Sequence, residues 1–268
     1  MRAATFVAAA TLLVAGCAVA EEPASEAVPS RPPAVASVSP APPPPEVSLD
    51  VTGWWAWALL DRRTGQIHGS ANRAFETSTT ESMVKAWLAA DYLAAVDRDG
   101  RNLTGMERST IRRALRVSDD AAAEWLYLAS GGNASIRRMI RSCQLTDTRS
   151  HPGRWALTRI TAQDASRLGG CLADGAVLDA QWTNWLLREM RSVASSNAFG
   201  IREAFAPEQA ARIAVKNGWT ARSDTGQWHV ACLGVWHHWS LAVLTRYPVQ
   251  LGLRYGAAIC RDATRQLF

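Results

Sequence analysis

The chain has 268 residues, 29 Lys and Arg against 24 Asp and Glu, a net charge of +5 and a pI near 9.2. That balance favours anionic partners, yet no basic stripe or helix stands out, which leaves nucleic acid a poor one. No segment reaches the roughly 18 uninterrupted apolar residues that a membrane-spanning helix needs.

Arg2 gives the N-terminus a positive start, and residues 3–13 form an apolar stretch too short to cross a bilayer. It ends in Val14-Ala15-Gly16-Cys17, which resembles the bacterial lipobox. The resemblance implies that residues 1–17 are an export signal and that Cys17 is lipidated. The expected location is the outer face of the cell membrane, held by a lipid anchor alone. Residues 18–49 contain nine of the chain's 12 prolines and read as a disordered linker. In polyproline II, at about 3.1 Å per residue, such a linker reaches roughly 90 Å. Residues 50–268 are long enough for one domain with a substantial core.

Within that domain, residues 53–60 and 66–69 predict two strands around a turn at Arg63-Thr64-Gly65. Residues 82–96 are rich in Ala and Leu at helical spacing and follow the polar run Thr77-Ser78-Thr79-Thr80-Glu81. Thr104 and Glu107 have capping-box spacing, predicting a helix to about Arg116. Further helices are expected over 121–130, 134–141, 162–173 and 179–191. Residues 212–219, 228–236 and 239–246 then read as three strands, followed by a C-terminal helix after Pro248. This is an α+β order, in which the two early strands join the three late ones in one antiparallel sheet. His237-His238 are expected on opposite faces of a strand, which argues against joint metal binding. The 12 tryptophans mostly occupy core-like positions, with Trp155 and Trp219 the two that could border a cleft.

Four cysteines remain besides Cys17: Cys143, Cys171, Cys232 and Cys260. An even count in an exported chain suggests two disulfides. Three pairings are open; Cys143–Cys171 with Cys232–Cys260 is favoured because each would tie neighbouring elements. The cysteines lack the CxxC spacing of a metal site, and neither a metal nor a cofactor is implied.

Ser82-Met83-Val84-Lys85 is an S-x-x-K at the start of a predicted helix, where residues three apart share a face. A serine hydroxyl needs an adjacent base to become a nucleophile, and a lysine serves only when burial or a nearby cation lowers its pKa. The chain's composition singles out this lysine. Only two of its 29 basic residues are lysine, Lys85 and Lys216, the rest being arginine. Arginine cannot be deprotonated in a protein and so cannot replace a lysine acting as base.

Together with Ser118-Asp119-Asp120 and Lys216-Asn217-Gly218-Trp219, the S-x-x-K resembles the three motifs of class A β-lactamases and penicillin-binding proteins. The resemblance covers most of residues 53–247. It implies a β-lactamase/transpeptidase-like fold: a five-stranded antiparallel sheet flanked by helices, with an all-helical subdomain. It also implies that Ser82 is acylated by a β-lactam or a D-alanyl peptide while Lys85 takes its proton. Ser118 would deliver a proton to the leaving nitrogen with help from Lys216. The backbone N–H groups of Ser82 and Trp219 would hold the oxyanion, and Asp120, Asn217, Gly218 and Trp219 would meet the substrate. A monomer is expected.

Three departures bear on specificity and turnover. Asp120 stands where the family usually has asparagine, and Asn217 stands for the usual threonine. No glutamate lies between Glu124 and Glu189, so the loop His151-Pro152-Gly153-Arg154-Trp155 lacks the carboxylate that activates water in class A enzymes. His151 is the alternative base there. These departures motivate a second reading, a catalytically weak or inactive β-lactamase-fold lipoprotein that binds wall fragments or a protein partner.

Overall fold

A computed structural model describes residues 46–268; the expected export signal, Cys17 and most of the expected linker lie outside the described residues. The fold is organised on one antiparallel sheet. Strand β1 (Trp54–Asp61) pairs on one side with β2 (Ile67–Gly69) and on the other with β8 (Trp239–Pro248). Beyond β8 comes β7 (Gln227–Trp236), which pairs along its length first with β6 (Gly218–Arg222) and then with β5 (Ala214–Val215). β5 and β6 are two halves of one edge position, interrupted at Lys216-Asn217, so the sheet has five positions as expected.

Successive side chains of a strand point to opposite faces, and the central strands show this directly. Ala56 and Ala58 of β1, Ala231 and Leu233 of β7, and Ala242 and Leu244 of β8 enter one core. Trp57, Leu59, Val230, Cys232, Leu241 and Val243 enter the other. The second core is closed by the C-terminal helix α8 (Gly252–Leu267), through Ala257, Ile259, Cys260 and Ala263. Residues 46–49, assigned to the linker by composition, lie against the same helix. Ser48 and Gln266 exchange two hydrogen bonds of 2.9 Å.

The first core lies under the helical part. Helix α1 (Lys85–Arg98) is its axis, buried on nearly every side, with α2 (Gly105–Arg116), α3 (Asp120–Ala129) and α4 (Asn133–Ser142) around it. The Thr104–Glu107 capping box forms as its spacing predicts. Helix α5 (Ala162–Ala173) packs on the sheet through Gly169, where an added methyl would sit 2.9 Å from Leu233 Cδ1. Helix α6 (Ala180–Arg191) and the single turn α7 (Pro207–Ala210) lead back to β5. One disulfide joins Cys143, at the end of α4, to Cys171 in α5, and the other joins Cys232 of β7 to Cys260 of α8.

Three local features differ from the sequence expectation. His237 and His238 do not lie in a strand; they form the two-residue turn between Trp236 and Trp239, with His237 at φ +44°. Chain reversal there satisfies the ladder without either residue. The predicted helix over 82–96 is split: Glu81–Val84 is a 3₁₀ turn and α1 begins at Lys85. Finally, β3 (Thr77–Thr79) and β4 (Arg159–Thr161) make a separate two-stranded ribbon. Three residues give too little periodicity to recognise a strand in sequence.

Candidate active site

The β3–β4 ribbon carries the chain into the 3₁₀ turn holding Ser82, and Thr80 N–H donates to Thr158 O at 2.8 Å. In a 3₁₀ turn, side chains three apart nearly eclipse, so Ser82 and Lys85 share one face. Ser82 is half-buried, whereas Lys85 is fully enclosed. Among the described residues no hydrogen bond links Ser82 Oγ to Lys85 Nζ. The lysine instead donates to Ser118 O at 2.5 Å, to Asp120 Oδ1 at 2.5 Å and to Ser118 Oγ at 3.4 Å.

Ser118 sits in the short connection between α2 and α3, at φ +58°, and Asp119 caps α3 through Ala122 N–H. A left-handed backbone is costly for a non-glycine residue and persists only where its surroundings enforce it. Here it turns both the carbonyl and the hydroxyl of Ser118 toward Lys85. Lys216, also enclosed, donates to the same hydroxyl at 2.9 Å from the break between β5 and β6. Ser118 Oγ thus accepts from both lysines of the chain, and its own proton is left to donate elsewhere.

Burial, first of all, pushes both lysines below their ordinary range. Lys216 is depressed strongly, with the neighbouring charge of Lys85 adding to the effect. Lys85 is lowered less, because the Asp120 carboxylate favours its charged form. The Asp120 side chain is itself 82% exposed, so that carboxylate stands at the mouth of the site.

Gly218 shows why the third motif needs a glycine. A methyl there would lie 2.7 Å from the backbone nitrogens of Ser82 and Met83 and would also strike Thr80 O. The strand therefore passes directly against the nucleophile turn. Lys216 N–H bonds to Leu233 O, and the register places Gly218 and Thr220 opposite Ala231 and His229 as the next bonded pairs. Trp219 N–H consequently faces the free edge of the sheet, next to the residue whose approach to Ser82 N is this close.

Asn217 requires a correction. Its side chain is buried and donates to Asn197 O at 3.0 Å and Phe199 O at 2.8 Å. It braces the strand break and is not free to meet substrate, because the residue between Lys216 and Gly218 faces away from the cleft. Trp219 packs edge-on against Phe199 at 5.3 Å between centroids.

The loop over 151–157 covers the other side. The Trp155 ring lies 5.2 Å from Lys85 Nζ, and its indole donates to Glu124 Oε2 at 2.8 Å. His151 is exposed. Sequence reasoning passed over the groups beneath this loop. Glu81, immediately before Ser82, is buried at φ +46° and accepts from Thr79 Oγ1 at 2.5 Å and Thr220 Oγ1 at 2.9 Å. His229 Nδ1 lies 2.6 Å from the same Thr79 hydroxyl. Since that hydroxyl gives its one proton to Glu81, it accepts from His229, which carries its proton on Nδ1. The signal available in sequence was a carboxylate beside the nucleophile within a threonine-rich run.

This arrangement of sheet, helical layer and paired lysines around a serine is the class A β-lactamase fold. It superposes on an ancestral class A β-lactamase, that of the last common ancestor of Gram-negative bacteria, with a TM-score of 0.62. Identity is 21%, over 80% of this chain and 93% of that one. A β-lactamase from Burkholderia vietnamiensis gives 0.63 at 21% identity, over 80% and 89% of the two chains. The model of the Beta-lactamase enzyme family matches residues 106–268, more than half of the sequence, and the chain belongs to that family. The match begins downstream of Ser82 and Lys85. Relatives named "Putative lipoprotein LppW", from Mycobacterium tuberculosis and Mycobacterium bovis, are 29% identical over 193 residues, 70% of this chain. The match spans 58% of the length of those relatives. Family and fold together support a function of the serine-hydrolase type.

Proposed function

We propose that the chain is an exported serine hydrolase, anchored through lipidated Cys17, that forms an acyl-enzyme at Ser82 with β-lactams or D-alanyl peptides. The observation that carries this reading is the Ser118 hydroxyl, shared by the two lysines of the chain beside the turn that holds Ser82. In the acylating step Ser82 Oγ bonds to the substrate carbonyl carbon and its proton passes to neutral Lys85. The C–N bond then breaks as Ser118 gives its proton to the leaving nitrogen and takes in its place the one that Lys85 accepted, which leaves both groups as they began. Charge on the carbonyl oxygen is met by the N–H groups of Ser82 and Trp219. Lys216 holds the Ser118 hydroxyl in place throughout.

Trp155 occupies the loop where class A enzymes carry the water-activating glutamate, and its ring shields Lys85. A slowly hydrolysed acyl-enzyme follows from that. The second reading, a wall-binding lipoprotein of little or no activity, draws on the Asp120–Lys85 ion pair, which opposes the neutral lysine that acylation needs. Mass spectrometry of penicillin-treated protein separates the two. The expected result is a gain of one intact penicillin on the peptide containing Ser82, absent in Ser82→Ala. Folded protein that gains no mass from several β-lactams and an activated ester would refute acylation and leave the binding reading.

A further inference from the structure

Beyond Ser82, away from Lys216, β6 runs on through Trp219 and Thr220 to Arg222 as a free edge of the sheet. At about 3.3 Å per residue, Arg222 lies roughly 13 Å along the strand from Gly218. An extended acyl donor laid on this edge, its leaving group toward Ser118 and Lys216, points its acyl side chain at Arg222. A pocket of about 320 Å³ begins there, between Glu81, Trp155 and Thr220. Through Arg154, Leu157 and Arg222 it adjoins a second pocket of about 400 Å³, whose wall includes Thr79, Arg159 and His229.

The charges of that second pocket do not cancel. Among the described residues Arg154 has no ion-pair partner, and the Arg159 guanidinium bonds only to Thr77 Oγ1, at 3.0 and 2.8 Å. Arg222 is shared between Asp224 at 2.9 Å and Glu81 at 3.5 Å. Arg246 lies behind, with Glu76 no nearer than 3.8 Å and its Nε buried without a partner. His229 contributes no charge: burial, and then the arginines around it, hold it at about 4. Two guanidiniums without carboxylates, Arg154 and Arg159, therefore face one cavity at the acyl end of the cleft.

Resting on the acylation reading above, we infer that this pocket is a subsite for a carboxylate carried by the acyl side chain of the substrate, roughly 10 Å from the reacting carbonyl. Bidentate guanidinium–carboxylate pairing supplies the recognition. The class of substrate is an acidic acyl donor, such as a peptide with a free side-chain carboxylate near the residue that acylates Ser82.

The test compares two penicillins made from 6-aminopenicillanic acid, one acylated with adipic acid and the other with its neutral monoamide. The rate of Ser82 labelling is followed by intact mass. The carboxylate-ended probe is expected to label roughly tenfold faster at low salt, with the advantage shrinking as salt rises. In Arg154→Gln/Arg159→Gln the ratio of the two rates should fall to about one, and a ratio cancels any general change in reactivity. Equal labelling of the wild-type chain by both probes would overturn the subsite and leave acylation standing. A preference that survives the double substitution would also overturn it. Labelling by neither probe would remove both readings.

Discussion

At Lys85 two opposing influences meet, and their balance decides whether the residue can act. Burial lowers its pKa, while the carboxylate of Asp120 at 2.5 Å raises it. A base must be neutral to accept the Ser82 proton, so acylation rises with pH through the Lys85 pKa. Asp120→Asn removes the influence that holds the proton on. Its pH–rate profile for acylation should therefore have its rising limb at lower pH than the wild type, with a faster rate at neutral pH. A limb that stays in place would show that Asp120 does not control Lys85. This residue pair also marks what sequence could disclose. Both lysines stood out because a chain with 29 basic residues otherwise uses arginine. The partnership of Asp120 with Lys85 was hidden, since it depends on a left-handed backbone at Ser118 that no residue preference announces. Glu81 was passed over and Asn217 was given to the substrate for a similar reason: a side chain's direction at a strand break or a 3₁₀ turn is set by contacts distant in sequence.

Most elements follow from local patterns and the site from their junctions. α2 was legible from its capping box, and α5 was expected over the residues it occupies, because signals of that kind lie within one element. The β3–β4 ribbon and the break between β5 and β6 were not, because each is defined by its partner. Gly218 makes the point at the junction of β6 with the nucleophile turn. It carries no positive φ, so alanine is allowed by its backbone, and only the approach to Thr80 O and to the backbone nitrogens of Ser82 and Met83 forbids it. Gly218→Ala should therefore push β6 away from Ser82 and separate the two N–H groups that meet the oxyanion. Losing one such donor typically costs 10²–10³ in rate, so acylation by penicillin should fall by about that factor. Denaturant unfolding would show whether the chain stays folded. Acylation within about twofold of wild type in the folded variant would mean that this close approach does not shape the oxyanion site.

The same buried groups that organise the cleft tie the whole molecule's stability to pH. His229 links the central strand β7 to the turn before Ser82, through Thr79 and Glu81. Its folded value is about 4, against 6.5 for a free histidine. A group with a depressed folded pKa binds fewer protons in the native state, so its contribution is complete above the unfolded value. It is lost as pH falls from 6.5 toward 4. Between pH 6.5 and 5 the loss is about 2 kcal/mol. His229→Asn keeps an amide N–H at the position of Nδ1 for Thr79 and cannot titrate there. Urea unfolding at pH 7 and pH 5, disulfides intact, should show a drop of roughly that size in the wild type and a smaller one in the variant. The carboxylates shared by both proteins cancel in that comparison. An equal drop in both would place the acid sensitivity elsewhere and free the Thr79–Glu81 network from any role in it.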